Sequence, residues 1–264
     1  MSYQIYCLSY TPFSICRFAR NADKVGENEL KGNVAFGVST AERCKNNVRA
    51  VNMRLRFVQI GFPDAVICEG VEYPSNTVWS CMLGHLNMIR QFYENTDYEY
   101  EIFCEDDIHI HRGLKERMPT IIQDFKELNL DILLMGFLFA YPEEDINVRL
   151  FAGCDILKKC SIPNSHSYYN YHNEMWGTQM YMLSREHAKY LLSKYTLQMA
   201  KLALVHHIEG WTHFSADWTL TKDGRRALVW PMYAVEDGQK TYEDEWQEYV
   251  HSSVVKGNLT EDFI

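Results

Sequence analysis

Short apolar runs alternate along the chain with segments whose apolar positions recur at helical spacing. In residues 42–60, Val48, Val51, Leu55 and Val58 follow one another at three- and four-residue steps, which predicts an amphipathic helix. The same two patterns recur downstream. Strands are predicted over residues 4–9, 65–68, 98–104, 131–137 and 179–183, and helices over residues 42–60, 77–92, 114–128 and 186–195.

This alternation of strands and helices predicts an α/β fold. We expect a single Rossmann-like domain with a mainly parallel central sheet and helices on both faces. Residues 11–46 contain glycines and mixed charges without a clear period, so the sequence assigns them no regular element.

Composition narrows the classes of function. The 264 residues include 26 Lys and Arg against 35 Asp and Glu, a formal net charge of -9, which argues against nucleic acid as a partner. The longest apolar stretch, residues 132–141, is about half the ~20 residues of a membrane-spanning helix, so no transmembrane segment is expected. The first residues lack the pattern of a signal peptide, which favours a cytoplasmic location. Eight cysteines without a CxxC pair favour reduced thiols.

Three consecutive acids, Glu105, Asp106 and Asp107, directly follow a predicted strand. In open α/β sheets ligands bind beyond the carboxyl ends of strands, so these side chains are placed to meet a substrate. Crowded carboxylates repel one another, and Mg²⁺ or Mn²⁺ bound with phosphate oxygens would neutralise them. The alternative is that these acids only cap the next helix or face water.

Five blocks of the chain form a recognisable series. They are Arg49 with residues 53–57 and Gly61, Ser80-Cys81-Met82-Leu83-Gly84-His85-Leu86, Phe103-Cys104-Glu105-Asp106-Asp107-Ile108, residues 177–184 with Ala188-Lys189 and Leu191-Leu192, and Ala216-Asp217-Trp218. In their order and spacing, these blocks resemble glycosyltransferase family 25. This group includes lipopolysaccharide galactosyl- and glucosyltransferases, collagen galactosyltransferases and viral relatives.

The resemblance implies a GT-A fold that moves a sugar from a nucleotide-sugar, usually a UDP-sugar, to a hydroxyl group with inversion at the anomeric carbon. Residues 1–150 would then form the nucleotide-sugar-binding half. Residues 151–264 would form the acceptor-binding half and a C-terminal segment. Gly84-His85 stands where the family usually has Ser-His, which puts the donor-base pocket in question.

The resemblance also implies roles for the acids. Asp107 is the expected direct metal ligand, Glu105 contacts a metal-bound water or the ribose, and Asp106 orients the cluster. An inverting transfer needs a base near the acceptor hydroxyl. Asp217 is the first candidate for that base, with Glu174 and the Glu236-Asp237 pair as alternatives.

The acceptor is expected to be a glycan or a glycoprotein, with its binding residues next to these candidate bases. They are Trp176, Gly177, Thr178 and Trp218. A histidine late in the chain often completes the metal shell of such enzymes, and His251 is favoured over His206, His207 and His213. The aromatic stretch of residues 168–172 has no clear period, which fits either a sugar-binding loop or core packing.

Two other functions remain open at this stage. One is a metal-dependent phosphodiesterase or nucleotidyltransferase, because acids at strand ends also hold Mg²⁺ for those reactions. The other is a carbohydrate-binding relative that has lost its activity. The sequence does not identify the sugar, the acceptor or the oligomeric state.

Overall fold

An eight-stranded sheet forms the centre of the computed structural model. Its strands follow the order Val66–Glu69 (β2), Ile5–Ser9 (β1), Tyr100–Glu105 (β3), Trp176–Ser184 (β8), Ile132–Leu138 (β5), Arg226–Trp230 (β9), Ser167–Asn170 (β7) and Asp155–Lys158 (β6). The structure describes residues 5–9, 48–71, 73, 76–138, 154–159, 166–173, 175–205, 214–237, 245, 248–249, 251–252 and 258–264.

The strands are β1 (Ile5–Ser9), β2 (Val66–Glu69), β3 (Tyr100–Glu105), β4 (Ile108–Ile110), β5 (Ile132–Leu138), β6 (Asp155–Lys158), β7 (Ser167–Asn170), β8 (Trp176–Ser184), β9 (Arg226–Trp230) and β10 (Ala234–Glu236). The helices are α1 (Val48–Gln59), α2 (Thr77–Asn95), α3 (Leu114–Glu127), α4 (Arg185–Lys194) and α5 (Leu197–Val205), with a π-helix at Ala216–Leu220.

The two faces of the sheet carry separate hydrophobic layers, which follow from the alternation of side chains along a strand. In β8, Tyr181 and Leu183 belong to one layer, whereas Met180 and Met182 belong to the other. Helices α2 and α4 cover the first layer, and α1 and α3 cover the second. The predicted α/β class with helices on both faces is confirmed.

Strand direction follows the prediction, but strand pairing does not. Among the described strands of this sheet, six run in the same direction, as a mainly parallel sheet requires. Strands β8 and β7 run the opposite way, so most neighbouring pairs are antiparallel. Buried strands read as continuous apolar runs in either orientation, and the sequence therefore does not reveal this reversal.

Strand β8, from the later part of the chain, is inserted between two strands of the earlier part. It lies between β3 and β5, pairing antiparallel with both. The predicted halves, residues 1–150 and 151–264, therefore contribute to one sheet, while the separate roles given to them stay predictions. Within the described residues, no helix is both long enough and apolar enough to cross a membrane.

Several short elements were not predicted. Strands β4 and β10 pair antiparallel in a small second sheet, and the last residue, Ile264, extends it by two backbone hydrogen bonds with Ile110. The aromatic stretch of residues 168–172 begins as strand β7 and buries Tyr168 and Tyr171 completely. That stretch therefore supplies core packing, and the interpretation as an open sugar-binding loop is wrong for these two side chains.

Candidate active site

The carboxyl end of β3 meets the amino end of β8 because the two strands are antiparallel. Glu105 is the last residue of β3, and Thr178 is the third residue of β8. Their side chains are in contact, with the Thr178 hydroxyl 2.6 Å from Oε1 of Glu105. The reversed strand thus brings a residue from the later part of the chain onto the acid cluster.

A second carboxyl group reaches the same hydroxyl. Asp217 lies in the π-helix Ala216–Leu220, and its Oδ1 is 2.9 Å from the Thr178 hydroxyl. The hydroxyl of Thr221 donates to the backbone carbonyl of Asp217 at 2.9 Å, which ties down the end of this turn. Single π-turns occur frequently at functional sites. The two candidate acids of the sequence analysis, Glu105 and Asp217, are therefore separated by one hydroxyl group.

The hydroxyl of Thr178 has one proton, so it donates to only one of these carboxylates at a time. The other carboxylate oxygen then faces the hydroxyl oxygen at hydrogen-bond distance without a proton between them. A proton on one acid or a bound cation removes this repulsion. The geometry therefore favours positive charge between Glu105 and Asp217.

Asp106 and Asp107 are both buried beside an arginine. Nη1 of Arg49, from the first turn of α1, lies 3.6 Å from Oδ1 of Asp106 and 3.8 Å from Oδ2 of Asp107. Only 4% of each aspartate side chain is exposed, against 40% of the arginine side chain. These separations are longer than hydrogen bonds, so the guanidinium balances the two charges at a distance.

The donor set fits Mg²⁺ or Mn²⁺. Glu105, Asp106 and Asp107 offer carboxylate oxygens, which are the ligands that these hard cations prefer. The contact between Glu105, Thr178 and Asp217 adds the requirement for positive charge described above. Both observations concern the chain alone, and which of the acids bind a metal stays a prediction.

His251 contacts β10, the strand that pairs with β4 directly after the acid cluster. Its Nδ1 is in hydrogen-bond contact with Oε2 of Glu236, a buried residue of β10. The next residue, Asp237, donates its backbone N–H to the carbonyl of Asp107 at 2.7 Å. The structure thus brings the segment of the alternative base pair, Glu236-Asp237, next to the acids, with His251 attached to Glu236.

Two half-buried tryptophans stand beside Asp217. The rings of Trp176 and Trp218 are 5.4 Å apart between centroids, and Nζ of Lys222 lies 5.3 Å from the Trp218 ring centre. Burial lowers the pKa of Lys222 to about 8, although the nearby Asp217 carboxylate acts in the opposite direction. The amine is therefore mostly protonated at pH 7 and adds positive charge to this edge of the site.

Close packing between β8 and β5 explains why residue 177 is a glycine, which the sequence did not show. A Cβ atom at this position would lie 2.8 Å from Cβ of Phe137 in β5. Glycine therefore lets β8 approach β5 closely just before Thr178. Of the other predicted site residues, Glu174 lies outside the described residues, as do His206, His207 and His213.

Sequence reasoning missed one neighbour of the acid cluster. It named His85 only within a block of the family resemblance, but Nε2 of this histidine lies 3.4 Å from Oε1 of Glu105. Cys81 precedes it by one helical turn, and the two share a helix face. The four-residue spacing of a thiol and an imidazole was the available signal.

A second polar region lies at the other end of β4. It is a cavity of about 420 Å³ whose lining includes His111, Arg117, His166 and Tyr233. Nε2 of the buried His166 is in hydrogen-bond contact with the Tyr233 hydroxyl. Desolvation lowers the pKa of both histidines, that of His166 to about 4, so both are neutral at pH 7.

Residues 75–203 match the sequence profile of glycosyltransferase family 25, described as an LPS biosynthesis protein family. The resemblance noted from the sequence is confirmed over these residues, and the match supports a transferase acting on sugars. No curated protein sequence matches the chain.

The chain is also similar to solved structures. Protein A197 from STIV has 10% identity and a TM-score of 0.40, with 90% of this chain and 92% of that one covered. HddC from Yersinia pseudotuberculosis has 10% identity and a TM-score of 0.35, with 96% and 100% covered. A putative glucose-1-phosphate thymidylyltransferase from Bacillus anthracis has 11% identity and a TM-score of 0.35, with 99% and 98% covered. These TM-scores are below 0.5, so the likenesses do not bear on function.

Proposed function

We propose that this chain, which resembles glycosyltransferase family 25, transfers a hexose or pentose from a UDP-sugar to a hydroxyl of a glycan or glycoprotein acceptor, with inversion and with Mn²⁺ or Mg²⁺ as cofactor. The observation that carries the proposal is the Thr178 hydroxyl between Glu105 and Asp217. It brings the acid cluster and the late aspartate into one site.

Glu105 and Asp107 would hold the cation, with His251 as the candidate third protein ligand. The bound cation would neutralise the negative charge of the leaving diphosphate. Asp106 faces Arg49, and this contact orients the loop that joins β3 to β4. Thr178 fixes the direction of the Glu105 carboxylate by its hydrogen bond.

Asp217 is the proposed general base. Its carboxylate would accept the proton of the acceptor hydroxyl as the new glycosidic bond forms. Trp176 and Trp218 would offer apolar ring surface to the acceptor sugar. Lys222, which is cationic at pH 7, would place a positive charge near the departing diphosphate. Glu174 is kept as the alternative base.

The test is an incubation of the protein with a panel of UDP-sugars and Mn²⁺, with free UDP as the readout. Slow donor hydrolysis requires no knowledge of the acceptor. We expect UDP from one donor, lost with EDTA and in Asp107→Ala. The control is Asp155→Ala, which changes an exposed aspartate of β6 and should leave UDP release unchanged.

Two outcomes contradict the proposal. Release of UMP with a sugar phosphate would instead identify a phosphodiesterase. Absence of turnover, together with no rise in melting temperature with any donor and Mn²⁺, would favour a binding protein without activity.

A further inference from the structure

The His85 side chain is completely buried, and the proposed transfer does not use it. Its Nδ1 is 2.9 Å from the hydroxyl of Tyr181. Its Nε2 makes no hydrogen bond within the described residues and lies 3.4 Å from Oε1 of Glu105. A buried ring nitrogen without a hydrogen bond is costly, so this position requires a physical explanation.

Either tautomer of His85 leaves the contact with Glu105 poorly satisfied. If Nδ1 donates to Tyr181, the lone pair of Nε2 faces a carboxylate, and two electron pairs oppose each other. If Tyr181 donates instead, an N–H faces the carboxylate at a distance too long for a good hydrogen bond. The first arrangement is the one that metal-binding histidines adopt, with the second ring nitrogen held by a neighbour.

Cys81 supplies a third donor at the same place. It precedes His85 by four residues in α2, so the two side chains share one helix face. One donor atom of Cys81, one of His85 and one of Glu105 all lie within 4.8 Å of one another. The thiol is half-buried, and it is not part of a disulfide.

The separation of the His85 and Glu105 donor atoms agrees with a tetrahedral zinc ion. Zinc lies about 2.0–2.1 Å from a histidine nitrogen and about 2.0–2.2 Å from a carboxylate oxygen, which places those ligand atoms about 3.4 Å apart. The observed separation of Nε2 and Oε1 is 3.4 Å. A thiolate with an imidazole also selects zinc over Mg²⁺ and Mn²⁺, which prefer oxygen ligands.

We propose that Cys81, His85 and Glu105 form a Zn²⁺ site, in which Tyr181 orients the histidine. Three protein ligands leave the fourth zinc position to water or another oxygen ligand. The ion would attach helix α2 to the carboxyl end of β3 and so hold Glu105 in place. This site shares Glu105 with the proposed Mn²⁺ or Mg²⁺ site, but its thiolate and imidazole ligands select a different metal, and it does not depend on the transfer reaction.

The test uses the full chain, reduced and stripped of metal, and no nucleotide-sugar. Co²⁺ is titrated first, because a cobalt–thiolate bond gives a charge-transfer absorption band in the near ultraviolet. We expect the band to saturate at about one equivalent and to disappear when Zn²⁺ displaces Co²⁺, even with excess Mg²⁺ present. Elemental analysis of the zinc-loaded protein after gel filtration gives the stoichiometry.

Cys81→Ser should remove the band and weaken Zn²⁺ binding by at least about tenfold, because the thiolate ligand is lost. Cys154→Ser, at another half-buried cysteine, should change neither the absorption band nor the affinity for Zn²⁺. Circular dichroism checks that the serine variants are folded, and His85→Gln provides a second variant at an independent ligand. Failure of the unmodified chain to bind Zn²⁺ would overturn the proposal. An unchanged band in Cys81→Ser would also overturn it.

Discussion

Two polar regions lie at opposite ends of the three-residue strand β4, and the surroundings of their buried ionisable groups differ. Before the strand, Asp106 and Asp107 are buried beside the cation of Arg49. After it, His111 and His166 line a cavity in which burial keeps both rings neutral at pH 7. The first region gathers carboxylates around a place that favours a cation, whereas in the second the two histidines are neutral although Arg117 lines the same cavity. The contrast supports the proposal that the first region is the site of the reaction.

The largest effect is expected for Asp217→Asn in the first region. The amide keeps the shape of the side chain but does not accept a proton from the acceptor, so kcat for transfer should fall by about 10²-fold to 10⁴-fold. Donor affinity, read from the melting-temperature shift with UDP-sugar and Mn²⁺, should stay the same. An unchanged kcat would instead favour Glu174 or the Glu236-Asp237 pair as the general base.

Low pH should destabilise the protein through the protonation of His166, which lines the cavity. The folded-state pKa of His166 is about 4, below the ordinary value of about 6.5, so between these pH values the unfolded chain binds the extra proton. The contribution of His166 to the free energy of unfolding is fully present above pH 6.5, and it should fall by about 3 kcal/mol as the pH drops to 4. Urea unfolding across this range measures the loss. His166→Asn should flatten the curve, and an equally steep curve in that variant would contradict the assignment.

Thr178→Val should separate the positioning of the acids from their chemistry. The substitution keeps the size of the side chain but removes the proton donor between Glu105 and Asp217, so kcat should fall by about 10-fold to 100-fold. The acid limb of the pH–rate profile should move to higher pH, because the two carboxylates then repel and one retains a proton longer. Thr178→Ser should restore both values. A profile that keeps its position would show that Thr178 only packs.

The smallest effect is expected at the aromatic edge of the site. Trp218→Ala removes ring surface offered to the acceptor, and KM for the acceptor should rise by about 2-fold to 10-fold while kcat changes little. The matched control is Tyr190→Ala, which removes an exposed ring from α4 and should leave KM unchanged. A fall in kcat without a change in KM would indicate instead that Trp218 positions Asp217.

The sequence predicted what depends on local pattern. The apolar run that ends at Glu105 defined β3 and the position of the acids, and the helical spacing defined α2. It did not predict the direction of β8, because buried strands of either direction have the same apolar pattern. The contact of Thr178 with two acids follows from that direction. The contact between His85 and Glu105 was not predicted for a similar reason. The helix face of His85 is apolar, and Glu105 belongs to another element.

The position of β8 also has a consequence for how the protein is made. Strands β3 and β5 are synthesised first, yet each pairs with β8, so both edges stay open until β8 emerges from the ribosome. Ser184, the last residue of β8, is added 46 residues after Leu138, the last residue of β5, which takes on the order of several seconds at usual rates of translation. Throughout that interval the nascent chain carries two uncovered apolar strand edges, and it is then that binding by a chaperone would protect it from aggregation.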